Sequence, residues 1–228
     1  MDKFFKSYGN YLLLLIGGII IVLIIITLPK LYNSESENSE TITTEVEIPE
    51  GQEVATFAGG CFWCIEAVFQ ETEGISAAIS GYAGGQEEDP TYEEVYTETT
   101  GHREAVQVFF DPEVITYMEI IDIYWKSIDP TDPGGQFVDR GHSYTTAIFY
   151  HNEEQKKIAE QTKMELEDSS VFEESIVTEI LPFTTFYRAE EYHQDFYQKS
   201  SDRYQNYESA SGREEFKEFV WGEIEKGN

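Results

Sequence analysis

The chain has 228 residues, and its 15 Lys and Arg stand against 44 Asp and Glu, a formal net charge of −29 at pH 7. So acidic a surface repels phosphate, which excludes nucleic acid and anionic lipid headgroups as partners, and its self-repulsion favours a soluble monomer. Two cysteines are too few for a multi-bridge secreted scaffold, while 15 Tyr, 15 Phe and 3 Trp supply a core, so the acidity does not signal disorder.

Residues 1–10 are polar and carry Lys3 and Lys6. Residues 11–28 are almost wholly aliphatic and uncharged. About 20 apolar residues cross a bilayer as a helix. A cleaved signal peptide would have a shorter apolar core ending in a small-residue cleavage site, and neither is found. The run is therefore expected to be a single transmembrane anchor. Lys3 and Lys6 precede it and only Lys30 follows closely. The positive-inside rule then places residues 1–10 in the cytoplasm and the remainder outside the cell membrane. Residues 29–52 are rich in Ser, Glu, Thr and Asn without apolar periodicity, and read as an acidic flexible linker. The globular domain is expected over 53–228.

The domain opens on an apolar run, 54–58, that reads as a buried strand. The stretch Gly59-Gly60-Cys61-Phe62-Trp63-Cys64-Ile65-Glu66 follows and holds both cysteines. The glycines permit a tight turn with unusual backbone angles. Phe62, Ile65 and Phe69 then fit one face of a helix over 61–71. Cys61 would sit in its first turn, where free N–H groups and the helix dipole favour a thiolate, the reactive form of cysteine. A structural zinc site needs four Cys or His ligands. His102, His142, His151 and His193 show no paired spacing that could complete one. A structural disulfide closing so short a loop stabilises little. Redox or nucleophilic chemistry is the favoured reading.

Further along, 75–82 reads as a strand entering a glycine turn, 92–97 as a short helix and 105–110 as a strand stopped by Asp111-Pro112. Residues 116–127 have helical apolar spacing. Residues 129–144 form a long loop with two prolines and three glycines. Loops of that length are usually functional, so it is expected to line a site. A strand at 145–150, a helix capped by Asn152 and running to 168, a strand at 175–181 and helices at 189–199 and 214–225 complete the pattern. Such alternation gives an α+β or α/β domain.

The segment Gly60-Cys61-Phe62-Trp63 resembles the signature of the peptide methionine sulfoxide reductase A family. Gly81-Tyr82-Ala83-Gly84-Gly85, Thr100-Gly101-His102-Arg103-Glu104-Ala105-Val106, Asp139-Arg140-Gly141 with Tyr144, and Ala189-Glu190-Glu191-Tyr192-His193-Gln194 resemble further family segments in the same order. The resemblance spans about 54–221. It implies a two-layer, ferredoxin-like α+β sandwich and thiol-dependent reduction of methionine (S)-sulfoxide, free or in oxidised proteins. It implies Cys61 as nucleophile, Glu104 as proton donor and Phe62 and Trp63 as the cage for the substrate methyl group. Tyr82 and Tyr144 would donate hydroxyl hydrogen bonds to the sulfoxide oxygen, and Asp139 would order the site. Family members often carry the resolving cysteine near the C-terminus. None is present there, so Cys64 is expected to form the disulfide with Cys61. Cβ atoms three apart in a regular helix are about 5–6 Å apart, against about 3.8 Å in a disulfide. The first turn is therefore expected to distort, with Gly59-Gly60 as hinge. No metal or bound cofactor is implied, only a thioredoxin-like external reductant. His142 and Thr145 depart from the residue types usual beside Tyr144. The rival readings are a membrane-tethered disulfide oxidoreductase and a surface metal-binding or adhesion module.

Overall fold

The computed structural model describes residues 48–226. The expected cytoplasmic segment 1–10, the anchor 11–28 and the linker up to residue 47 lie outside the described residues. No described helix is long and apolar enough to cross a membrane.

The elements run β1 Glu53–Gly59, α1 Phe62–Gln70, β2 Ile75–Ala83, α2 Tyr92–Tyr96, β3 Arg103–Phe110 and α3 Tyr117–Lys126. A small hairpin follows, β4 Gly135–Gln136 and β5 Asp139–Arg140, then a 3₁₀ turn at His142–Tyr144. The chain continues with β6 Thr146–Tyr150, α4 Glu153–Asp168, β7 Glu179–Pro182, β8 Phe186–Arg188, α5 Phe196–Lys199, α6 Ser201–Ser211 and α7 Arg213–Lys226. Six strands form one mixed sheet in the order β7-β6-β1-β3-β2-β8. All neighbours are antiparallel except β6 and β7. The fold is α+β.

β1 and β3 are central and buried along almost their whole length, as strands covered on both faces must be. On one face Ala55, Phe57, Val106, Val108 and Phe110 meet Phe62, Ile65 and Phe69 of α1 and Ile120, Ile121 and Tyr124 of α3. Phe57 is the hub, stacking on Tyr124 at 4.7 Å and Phe69 at 5.5 Å between ring centroids. The other face is built of small residues, Ala58, Ala83, Ala105 and Ala147 with Phe149, and is covered by Leu181, Phe183 and Phe186. Alanines suit that face because the covering segment runs close against it. Capping boxes, Thr91 with Glu94 and Thr116 with Glu119, start α2 and α3. Asn152 caps α4 through the Gln155 N–H.

The sequence reading needs four corrections. The helix expected from residue 61 begins at Phe62, with Cys61 as its N-cap in a non-helical conformation. Residues 175–178 are not strand, because Val177 gives its N–H to the Pro130 carbonyl in the long loop instead of a sheet ladder. Of the helix expected over 189–199, only Phe196–Lys199 forms. Asp195 is left-handed (φ 53°), and the Gln194 side chain is bonded to both backbone groups of Ser80 on β2. Lastly, the loop 129–144 contains a hairpin and a 3₁₀ turn, and β8 and α6 were not expected at all.

The Tyr124 hydroxyl donates to the carbonyls of Ala58 (2.8 Å) and Ala147 (3.3 Å), across the β1–β6 pair. Tyr124→Phe removes a buried donor and leaves those acceptors short. Denaturant unfolding should show a loss of about 1–3 kcal/mol, with the fold retained.

Candidate active site

β1 carries the chain into Gly59 and Gly60. Gly60 has φ +81°, and a Cβ there would lie 2.5 Å from the Gln136 Cβ, so only glycine fits. The turn seats Cys61 at the head of α1, 6% exposed. The first N–H of the helix, that of Phe62, donates to Glu104 Oε2 at 2.9 Å. The helix terminus therefore holds a carboxyl group and not the Cys61 sulfur. Burial pushes the Cys61 thiol well up, reinforced by its hydrogen bond with Cys64 and by Glu104 and Asp139. Burial thus opposes the thiolate that a helix terminus alone would favour at Cys61. Cys64 is shifted down, first by the hydrogen bond from Cys61, then by the Arg213 charge, against its own burial. Both thiols are free and buried, and the Cys64 N–H donates to the Cys61 carbonyl at 3.2 Å across the first turn.

Glu104 comes from β3 and is 3% exposed. Burial raises its carboxyl to about 8, against the lowering effect of the Phe62 N–H. It is therefore an acid at neutral pH, with a proton to give. Tyr144, on the 3₁₀ turn, also hydrogen-bonds this carboxyl.

The aromatic wall is fixed from several directions. Trp63 stacks on Phe196 (3.9 Å between centroids, 11° between planes) and donates from Nε1 to His193 Nδ1 at 3.2 Å. That ring is held neutral, burial lowering it to about 4, and it lies 5.0 Å from Phe62. Phe62 also packs against Tyr82. The Tyr82 hydroxyl donates to Glu190 at 2.7 Å. Glu190 also accepts the Tyr92 N–H. Asp139 accepts the Tyr207 hydroxyl, and Tyr207 meets Trp63 edge-on at 6.0 Å.

All eight residues singled out from the sequence, Cys61, Phe62, Trp63, Cys64, Tyr82, Glu104, Asp139 and Tyr144, thus converge on one region. The structure adds Glu190, His193, Tyr207 and Arg213. Glu190 and His193 lie in a segment already noted for its resemblance, so a signal existed for them. Tyr207 and Arg213 carried none. His142 and Thr145, the unusual neighbours of Tyr144, have structural tasks. The His142 ring bonds the Gly101 carbonyl, and Thr145 accepts from Arg103 Nε at 2.7 Å.

A family model described as peptide methionine sulfoxide reductase matches residues 53–225. The chain belongs to this family. It is 56% identical over 173 residues to the peptide methionine sulfoxide reductase MsrA of Bacillus licheniformis, covering 76% of this chain and 96% of that protein. The Bacillus subtilis MsrA is 55% identical over 173 residues, with 76% and 98% covered. Among solved structures, the reduced form of Mxr1 from Saccharomyces cerevisiae superposes with a TM-score of 0.63 at 32% identity, covering 67% of this chain and 88% of that one. Methionine sulfoxide reductase A of Corynebacterium diphtheriae gives 0.60 at 33% identity, with 67% and 76% covered. The membership covers the described domain.

The turn at Gly60 yields a direct test. Gly60→Ala combines a left-handed conformation with a clash against Gln136, and strain of this kind costs about 1–3 kcal/mol. Unfolding should register that loss, and alkylation of Cys61 should change in rate as the thiol is displaced.

Proposed function

We propose that this chain is a peptide-methionine (S)-S-oxide reductase, an oxidoreductase that repairs oxidised methionine at the expense of thiols. The observation that carries the reading is the buried Cys61 thiol beside a carboxyl group that retains its proton at neutral pH. Reduction of a sulfoxide requires a sulfur nucleophile and an acid for the departing oxygen. Cys61 attacks the sulfoxide sulfur, and Glu104 protonates the oxygen. The attack forms a bond between the two sulfurs; the hydroxyl then passes to the Cys61 sulfur as the substrate S–O bond and that S–S bond break, and the thiol proton restores Glu104. The products are methionine and a sulfenic acid on Cys61. Phe62 and Trp63 offer an apolar wall to the methyl group, which supports selection of one epimer. Tyr82 and Tyr144 donate hydroxyl hydrogen bonds to the sulfoxide oxygen, and Asp139 orders the site.

Cys64 then attacks the sulfenic sulfur. The Cys61–Cys64 bond forms and water leaves. A thioredoxin-like dithiol reduces that bond, with no bound cofactor. The inner strand order β6-β1-β3-β2, with α1 and α3 as crossovers on one face, supports reading the core as a ferredoxin-like sandwich. The uncharged run at 11–28 and its flanking lysines support a single-pass anchor, with residues 29–52 as linker and the catalytic domain over 53–228 outside the cell. A thioredoxin-like donor would then have to be extracytoplasmic, and oxidised proteins outside the membrane are the substrates within reach.

Cys61→Ser should abolish reduction of the S epimer, while the parent leaves the R epimer untouched. Turnover in Cys61→Ser, or equal parental use of both epimers, would refute the assignment. Glu104 is the acid only while protonated, so the rate of the reductive step should fall as pH rises through about 8. Glu104→Gln should lower that rate by about 10²–10⁴-fold and lose the fall. Single-turnover rates across the pH range decide this. Protease added to intact cells should cut within 33–52 and release an active domain. Protection of that segment until lysis would reverse the orientation.

A further inference from the structure

Arg213, the first residue of α7, is 2% exposed. Its two terminal nitrogens donate to the carbonyls of Ser127 and Gly59, the latter at 3.2 Å. Its guanidinium lies over the Phe137 ring at 4.6 Å. No salt bridge reaches it among the described residues. Its Nε is buried without a hydrogen-bond partner. A buried charge left uncompensated is costly, so such a cation either lacks a counter-ion for a reason or acquires one in the working cycle.

Its position identifies the counter-ion. A methyl group on Gly60 would lie 3.2 Å from Arg213 Nη2, so the guanidinium rests against the turn that delivers Cys61. Cys64 is packed with Tyr204 of α6 and next to Tyr207. That helix ends at Gly212, whose left-handed conformation turns the chain directly into Arg213. The segment that covers Cys64 thus also places the cation. We propose that Arg213 is a positioning residue for the recycling step: its buried guanidinium, which forms no salt bridge among the described residues and has the Asp139 carboxylate only at longer range, is the charge against which the Cys64 sulfur ionises before attacking oxidised Cys61.

This rests on the reading of Cys64 as the resolving thiol. The groups facing Cys64 are Cys61 before it, Glu208, Tyr204 and Tyr207 on α6, Glu104 on β3, Asp139 on β5 and Arg213. Glu208 and Asp139 oppose ionisation of Cys64, and Arg213 favours it. In the step itself the Cys64 thiolate forms the S–S bond with Cys61. The S–O bond of the sulfenic acid breaks, and its oxygen leaves as water with one proton from Glu104 or solvent and the one already on it. The Cys64 sulfur is oxidised and the Cys61 sulfur reduced to the disulfide level. A purely structural Arg213, tying α7 to β1 and to the end of α3, would affect stability without separating the two chemical steps.

The test is a single turnover of the full-length protein with free methionine sulfoxide and no reductant, following methionine formed and thiols lost. In Arg213→Met, disulfide formation should slow at neutral pH by a clearly larger factor than methionine formation, since less of the Cys64 sulfur is thiolate. The deficit should close at alkaline pH, and Arg213→Lys should retain the fast step. Disulfide formation at the parental rate in Arg213→Met, equal slowing of both steps at every pH, or an Arg213→Lys as slow as Arg213→Met would each overturn the proposal. If Arg213→Met does not fold, Arg213→Gln is read in the same way. If neither folds, the Cys64 thiolate is titrated by ultraviolet absorbance in Cys61→Ser with Arg213 intact. A midpoint below the ordinary cysteine range supports the proposal, and one at or above it overturns it. Unchanged steady-state turnover of Cys64→Ser with a thioredoxin-like donor would instead remove Cys64 from recycling, a failure of the underlying reading that is recognisable because Arg213 is untouched.

Discussion

The 2.9 Å hydrogen bond from the Phe62 N–H to Glu104 organises the domain. It joins the first free donor of α1 to a carboxyl on the central strand β3. Through it, the strand–turn–helix that presents Cys61 and the strand that presents the acid are held as one body. A helix terminus ordinarily attracts negative charge. Here that attraction is offset by burial, and the carboxyl ends up raised, not lowered. The cysteine gains its partner acid by giving up the donor that would have made it a resting thiolate.

The second constraint is crowding. Gly60 has no room for a side chain beside Gln136, and Gly81 none beside Phe186 and the Tyr187 carbonyl. Close backbone approach lets Gln136 of the 129–144 loop and Arg213 of α7 both reach the turn at Gly60. Glu98 secures the loop, accepting from the backbone of His142 and Ser143 and from the Ser143 hydroxyl. Tyr144 and Asp139 inherit their places from that anchoring.

Much of this was legible in the chain. Strands β1, β2, β3 and β6 are apolar enough to declare themselves, and Asn152 marks a helix start by simple capping chemistry. The cysteine pair and Glu104 stood out through their motifs. What stayed hidden depends on partners far along the chain. Tyr204 and Tyr207 are two of 15 tyrosines in a helix otherwise polar, and no local pattern separates them from surface residues. Arg213 sits among charged neighbours and reads as solvated until the fold buries it. Residues 189–195 failed as a helix because the Gln194 side chain is bound to β2, a contact 114 residues away.

The order of the pieces along the chain has a consequence for biosynthesis. The thiols lie within the first dozen residues of the domain, whereas Arg213 reaches Gly59 across 154 positions and His193 reaches Trp63 across 130. A chain emerging from its N-terminus carries both cysteines bare until nearly all of it has been made. Contacts of such long range also form slowly, since loop-closure entropy must be overcome before they reward it. Until α6 and α7 arrive, neither sulfur has its cover. The nascent domain is therefore open to oxidation and thiol exchange at both sulfurs, and a thiol guardian acting during folding would protect it at that stage.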